Sequence, residues 1–180
     1  MPIKGRVIAG KYKSRQLLTL FDSHTRATKD RVKEAMFSAL GNDLKNATVL
    51  DLFAGTGALG IEALSRGATK AIFCENSLKT LQILTKNLEI VEEEVILLKG
   101  DYENKLAQIE KNSLDIVFID PPYDYDIEAI VSKVFESNIL KKEYIMVLET
   151  DKEANLSLNN VKIRKYKYGL THLTILRGAL

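Results

Sequence analysis

Residues 47–75 read ATVLDLFAGTGALGIEALSRGATKAIFCE. The apolar, β-rich run TVLDLF passes directly into Gly55-Thr56-Gly57-Ala58-Leu59-Gly60, a G-x-G-x-x-G turn that opens the helical pattern ALGIEALSR. Gly67 ends that helix and KAIFCE reads as a second strand. Strand, glycine turn, helix and strand in this order form half of a doubly wound α/β sheet, because parallel neighbours need a crossover helix. Glycines at the turn let a ligand approach the backbone, whose N–H groups can bind its polar atoms. Glu75 closes the second strand, 20 residues after Gly55, where a carboxylate can accept hydrogen bonds from ribose hydroxyls. The stretch therefore predicts a site for an adenosine-containing cofactor.

Downstream, the alternation continues. Ser77 opens a helix whose predicted buried stripe is Leu78, Leu81, Leu84, Leu88 and Val91. The acidic turn Glu92 to Glu94 leads to VILLK, a weaker helix near 104–111 and the strand LDIVFI. Ile127, Ile130, Val131, Val134 and Phe135 then mark one face of a helix that precedes the strand YIMVLE. Apolar strands separated by helices imply a parallel sheet covered on both faces. VKIRKYKYG and THLTILR depart from this pattern and predict a terminal antiparallel hairpin.

Upstream, RVIAG and RQLLTL flank the turn-like KYKS and predict a small hairpin. A helix over Lys29–Leu40 follows, with Val32, Ala35, Met36, Ala39 and Leu40 on one face, Thr28 as its cap and Gly41 as its stop. The polar stretch GNDLKNA reads as a linker, giving an N-terminal extension at 1–46 and a catalytic domain at 47–180.

The 180 residues suffice for one domain with its own core and one active site. A hydrophobic fraction of 46% with 28% charged residues fits a folded chain rather than a disordered one. No apolar run reaches bilayer length and MPIKGRVIAG lacks the core of a signal peptide, so a cytoplasmic location without membrane association is expected. The single cysteine, Cys74, lies in an apolar run and predicts a buried, inert thiol. His24 and His172 have no partners at ligand spacing, so no metal site is expected. Charge is uneven. Residues 1–33 hold nine Lys or Arg against two Asp, while acids outnumber bases in the remainder. Such a segment suits a polyanionic partner.

Asp51 stands four residues before Gly55, where a carboxylate can receive a cationic ligand head but would repel a pyrophosphate. A sulfonium amino acid fits, and the chain has no room for the substrate domain of a dehydrogenase. The most specific motif is Asp120-Pro121-Pro122-Tyr123 at the end of LDIVFI. Its prolines fix the backbone and leave carbonyls as acceptors. An exocyclic base amine is a poor nucleophile because its lone pair is delocalised into the ring. Asp120 and the Pro121 carbonyl can grip its hydrogens and aim the nitrogen, while Tyr123 stacks the base. Together these predict an S-adenosylmethionine-dependent methyltransferase acting on a nucleic-acid amine. The rivals are a DNA adenine-N6 or cytosine-N4 methyltransferase, for which a target-recognition domain is missing, and a non-catalytic RNA-binding module.

RVIAGKYKSRQL, TRATKDRVKEAMF, VLDLFAGTGALGIEALSRGA, DIVFIDPPYD and YGLTHLTILR together carry a resemblance over nearly the whole chain. The chain resembles the bacterial family of 16S ribosomal RNA methyltransferases that modify N2 of one guanine in the small subunit. The resemblance implies a Rossmann-like methyltransferase sheet, S-adenosylmethionine as cofactor, and 16S rRNA in the small subunit or an assembly intermediate as partner. It further implies that Asp51, Phe53, Ala54, Gly55, Thr56 and Gly57 cradle the methionine part. Glu75 would hold the ribose and Asp101 the adenine amino group, with Asn76 and Tyr102 also in the cofactor site, and Asp120, Pro121, Pro122 and Tyr123 would hold the guanine. Arg6, Lys11, Lys13, Arg15, Arg26 and Thr28 are the candidate RNA contacts. Ala27 departs from the family, which places proline after the arginine of TRATKDRV.

Overall fold

The computed structural model describes residues 3–20 and 23–180, with side chains from residues 5–20 and 29–180. The alternation read from the sequence forms a seven-stranded sheet. Its strands are β3 (Thr48–Asp51), β4 (Lys70–Glu75), β5 (Glu94–Lys99), β6 (Leu114–Ile119), β7 (Leu140–Thr150), β8 (Val161–Tyr168) and β9 (Thr171–Ala179), in the spatial order β5-β4-β3-β6-β7-β9-β8. The first five pair in parallel, whereas β9 runs antiparallel to both β7 and β8. From β3 the chain winds outward through β4 and β5, then returns to the other side of β3 for β6 and β7. The strand order therefore reverses between β3 and β6, which opens a crevice at their C-terminal ends.

Alternate residues of the central strands feed two cores. Val49, Phe73, Ile116, Phe118 and Val147 face helices α2 (Ala58–Ser65) and α3 (Leu78–Asn87). Leu50, Ile72, Val117, Ile119 and Met146 face α4 (Tyr102–Leu106) and α5 (Ile127–Glu136). Each fully buried aromatic such as Phe73 or Phe118 contributes about 2–3 kcal/mol by removal from water. Ser77 caps α3 by accepting from Thr80 N, as its position implied. Leu81 and Leu84 are buried as expected, but Leu78 is exposed: it occupies the first helical position, ahead of the part that lies on the sheet. The helix expected near 104–111 is instead the short α4, because Asp101 accepts from Glu103 N and starts it earlier.

The N-terminal segment shares the first of these cores. Strands β1 (Ile3–Arg6) and β2 (Gln16–Thr19) form the expected hairpin, although β1 begins and ends earlier than RVIAG suggested. Helix α1 (Ser23–Leu40) starts five residues ahead of Thr28, which therefore lies within the helix rather than at its cap. The physical reason is Ala27: a proline there would remove a backbone donor and bias Arg26 away from helical geometry, and alanine imposes neither restriction. Gly41, with φ +50°, ends α1 as expected and begins a 3-10 turn through Leu44. Leu44 is buried, so the stretch read as a linker is a packed corner.

Two polar anchors fix the hairpin. Glu62 is fully buried in α2 and accepts from the backbone N–H groups of Ile8 (2.9 Å) and Ala9 (3.0 Å). The same carboxylate pairs with Lys33 of α1 at 3.4 Å and with Arg66 at 2.8 Å. Asn87, at the end of α3, accepts from Leu18 N and donates to the carbonyls of Leu18 and Thr56. This side chain ties β2 to the glycine turn, so the hairpin borders the crevice.

Candidate active site

The crevice is a cleft of about 1090 Å³ above the C-terminal ends of the parallel strands. Five successive parallel strands deliver carboxyl groups there: Asp51 ends β3, Glu75 ends β4, Asp101 follows β5, Asp120 follows β6 and Glu149 lies near the end of β7. Asp51, Glu75, Asp120 and Glu149 line the main cleft, and Asp101 lines a narrow lobe continuous with it. Leu52, Phe53, Cys74, Glu75, Asn76, Gly100, Tyr102 and Tyr125 complete that lobe.

The glycine turn divides its work. At Gly55, with φ +55°, an added Cβ would meet only the Phe53 carbonyl oxygen, at 4.0 Å, so its missing side chain leaves cleft space for a ligand. At Gly57 and Gly60 it would instead strike Leu84 at 2.5 Å and the Phe73 ring at 2.2 Å. Gly60 is thus required by close packing of α2 on β4. Gly60→Ala is expected to lower stability by about 1–3 kcal/mol through overpacking. Thermal melting checks this, and an unchanged midpoint would contradict the packing role.

Glu75 accepts from Gly55 N at 2.7 Å through one oxygen and from Ser77 N at 2.8 Å through the other. It therefore holds the turn against the start of α3, and each oxygen retains a lone pair for a donor in the cleft. Asp51 is buried and accepts from Gly60 N at 3.0 Å. Burial, reinforced by the negative charges of Asp120 and Glu75 and opposed by the Gly60 N–H, pushes its carboxyl up to about 7. A positively charged ligand group would reverse that shift.

Across the switch point, Asp120 is half-buried, Pro122 is exposed and Tyr123 is 80% exposed, its ring free to receive a flat partner. Burial raises the Asp120 carboxyl above the usual carboxylate range and Lys29 of α1 opposes the rise. Phe53, Tyr102 and Tyr125 form a cluster with ring centroids 5.0–6.2 Å apart at the narrow lobe. Cys74 is buried as expected and its thiol is pushed up to about 12, chiefly by burial, which leaves it an inert wall.

The expected RNA contacts separate. Arg6 lines the cleft and lies 3.6 Å from Asp30. Lys13 and Arg15 are exposed on the hairpin. Lys11 pairs with Glu92 at 2.8 Å and Glu93 at 3.0 Å, and Tyr12 donates to Glu93, so this part of the hairpin is fastened to the turn before β5. The side chains of Arg26 and Thr28 lie outside the described residues. Tyr125 and Glu149 are among the cleft residues that the sequence reading passed over. Glu149 carried a usable signal, since it ends an apolar strand as Asp51, Glu75 and Asp120 do.

With this geometry in view, the family model described as Conserved hypothetical protein 95 matches residues 5–177. The Haemophilus influenzae protein named ribosomal RNA small subunit methyltransferase D is 36% identical over 156 residues, covering 84% of this chain and 81% of that protein. The chain belongs to the ribosomal RNA small subunit methyltransferase D family. Its similarity to the Bacillus subtilis protein YlbH is also 36%, over 178 residues, covering 94% of the chain and 97% of that protein. Among solved structures, the putative methyltransferase yhhF from Escherichia coli superposes with a TM-score of 0.86 at 29% identity, covering 99% of this chain and 100% of that one. The Rossmann-like methyltransferase fold expected from the sequence is the fold found.

Proposed function

We propose that this chain transfers a methyl group from S-adenosylmethionine to the exocyclic N2 amine of a guanine in 16S rRNA of the small ribosomal subunit. The reading is carried by the position of Asp120, Pro121, Pro122 and Tyr123 on the cleft wall across the switch point from Asp51, Gly55 and Glu75. Amine-gripping groups and cofactor groups thus share one cleft.

The residues present fit the cofactor. Asp51 would meet its α-ammonium, Gly55 would leave room for its amino-acid part, Glu75 would accept from its ribose, and Asp101 with Phe53, Tyr102 and Tyr125 would hold its adenine. When bound, S-adenosylmethionine supplies an electrophilic methyl whose sulfonium charge is lost as the methyl leaves. Asp120 and the Pro121 carbonyl orient the amine for in-line attack, Tyr123 stacks the base, and the proton shed by the methylated nitrogen passes to Asp120 or to water. Catalysis then lies mainly in positioning and exclusion of water.

Asp51 gives the cofactor site a pH dependence. Its carboxyl is neutral below about 7 in the free protein, whereas an ammonium partner favours the anion. Affinity should therefore rise with pH, by roughly fivefold between pH 6 and pH 7, and then level off. Binding should release a proton at the lower pH. Calorimetry in buffers of different ionisation enthalpy measures both, and Asp51→Asn should abolish both. A flat profile in the parent protein would contradict the ammonium assignment.

Residues 1–46 are the proposed RNA-docking extension, with exposed Lys13 and Arg15 on phosphates and Arg6 at the cleft mouth. Phosphate contacts make binding salt-dependent. The function is tested by offering labelled cofactor to small subunits, naked ribosomal RNA and DNA. Label in small-subunit RNA is the expected result, and label confined to DNA would overturn the reading.

A further inference from the structure

The β6–β7 register pairs Ile119 with Leu148, so the next residues of these parallel strands, Asp120 and Glu149, stand side by side at the strand ends. Parallel neighbours are about 4.8 Å apart, and residues in register project to the same side of the sheet. Both carboxyls line the cleft and both are half-buried. Each feels its surroundings strongly. Burial raises Glu149, Asp120 raises it further, and Lys29 of α1 opposes the rise. On the opposite flank of β7, Glu149 is in register with apolar Leu173 of β9. Glu149 is thus a second carboxyl beside the one already assigned to the target amine.

We infer that Glu149 and Asp120 act as an acceptor pair for two neighbouring N–H groups on one edge of the target base, so that Glu149 selects guanine. The inference rests on the reading of guanine N2 as the methylated atom. In guanine the N2 amine adjoins N1–H, which presents two donors side by side. In adenine the N6 amine adjoins N1, and in cytosine the N4 amine adjoins N3, so each of those bases presents a donor beside an acceptor. Two carboxylates meet the guanine edge with every polar group paired. Against adenine or cytosine, a carboxylate lone pair would face a ring-nitrogen lone pair, and a buried mismatch of that kind discriminates strongly. Burial and the Asp120 charge hold the Glu149 carboxyl up to about 8, so the guanine-selecting form is the anion that predominates above that pH and that Lys29 favours, whereas the protonated carboxyl below it would donate and relax the selection. Asp120 touches the reacting amine, whereas Glu149 contacts the adjacent ring nitrogen and fixes the angle of the base.

The test replaces the guanosine that the parent protein methylates by 2,6-diaminopurine riboside, which keeps the 2-amino group but turns N1 from donor to acceptor. Small subunits carrying either nucleotide are compared in single-turnover reactions at about pH 8.5, where Glu149 is mostly ionised, with the parent protein and with Glu149→Gln. The parent protein should prefer guanosine by on the order of 10²-fold. Glu149→Gln should lower that preference at least about tenfold, because its amide can donate to the unprotonated N1. Its affinity for S-adenosylmethionine, measured by calorimetry, should stay within about twofold and shows that the variant is folded. A variant with the parent's nucleotide preference would overturn the assignment of Glu149 alone. If the parent protein's product from unsubstituted subunits is not N2-methylguanosine, the reading of the target falls and the inference falls with it.

Discussion

Asp120→Ala should reduce single-turnover methyl transfer by roughly 10³-fold while leaving cofactor affinity within a few-fold of the parent value. Asp120 lies across the switch point from Asp51, Gly55 and Glu75, and the acceptor role proposed for it is exercised on the incoming amine. Removing it should cost the chemical step rather than cofactor binding. Asp120→Asn separates two contributions, since the amide keeps one acceptor oxygen but loses the charge, and an intermediate rate is expected. Quench-flow with labelled cofactor measures the rates. An Asp120→Ala protein that transfers methyl at near-parental rate would show that the amine is positioned by other groups.

Glu62→Ala should be the most damaging single change to the fold. Glu62 is fully buried and satisfies Lys33, Arg66 and the backbone donors of Ile8 and Ala9. Truncation leaves Lys33, itself almost buried, without this carboxylate and releases the loop that follows β1. Breaking a buried pair by removing one partner costs about 3–5 kcal/mol. For a chain of this size that corresponds to a melting point lower by roughly 10 °C. Calorimetry or circular dichroism measures it, and a shift of under about 2 °C would contradict the anchoring role. The N-terminal hairpin should lose protection from hydrogen exchange before the sheet does, because Glu62 connects it to α2.

Much of the sheet was legible because its residues obey two independent rules. LDIVFI and KAIFCE are continuous apolar runs of strand length, and the intervening helices carry apolar residues three and four apart. The candidate cleft was legible where chemistry restricts residue type, since Asp120-Pro121-Pro122-Tyr123 and the glycine turn both line it. The structure then distinguished glycines that looked alike in sequence: Gly60 is dictated by the Phe73 ring, whereas Gly55 borders open cleft space. Boundaries were less legible, because they depend on competing local bonds. Thr28 has the chemistry of a cap, yet α1 begins at Ser23 because nothing in residues 23–28 interrupts helical geometry. Leu78 belongs to the apolar stripe by spacing and is exposed by position. The partners of Lys11 were invisible because Glu92 and Glu93 lie about eighty residues away in sequence. Glu149 was passed over for a related reason, since its significance comes from standing beside Asp120 across two strands.

The central claim is that the cleft methylates N2 of guanine in small-subunit RNA. The most direct measurement is the identity of the nucleoside formed when the purified protein and isotopically labelled S-adenosylmethionine act on unmodified small subunits. Digestion of that RNA and mass spectrometry of its nucleosides should place the label in N2-methylguanosine, at one nucleotide, and Asp120→Ala should remove it. Label in N6-methyladenosine or N4-methylcytidine, or none in RNA at all, would contradict the account.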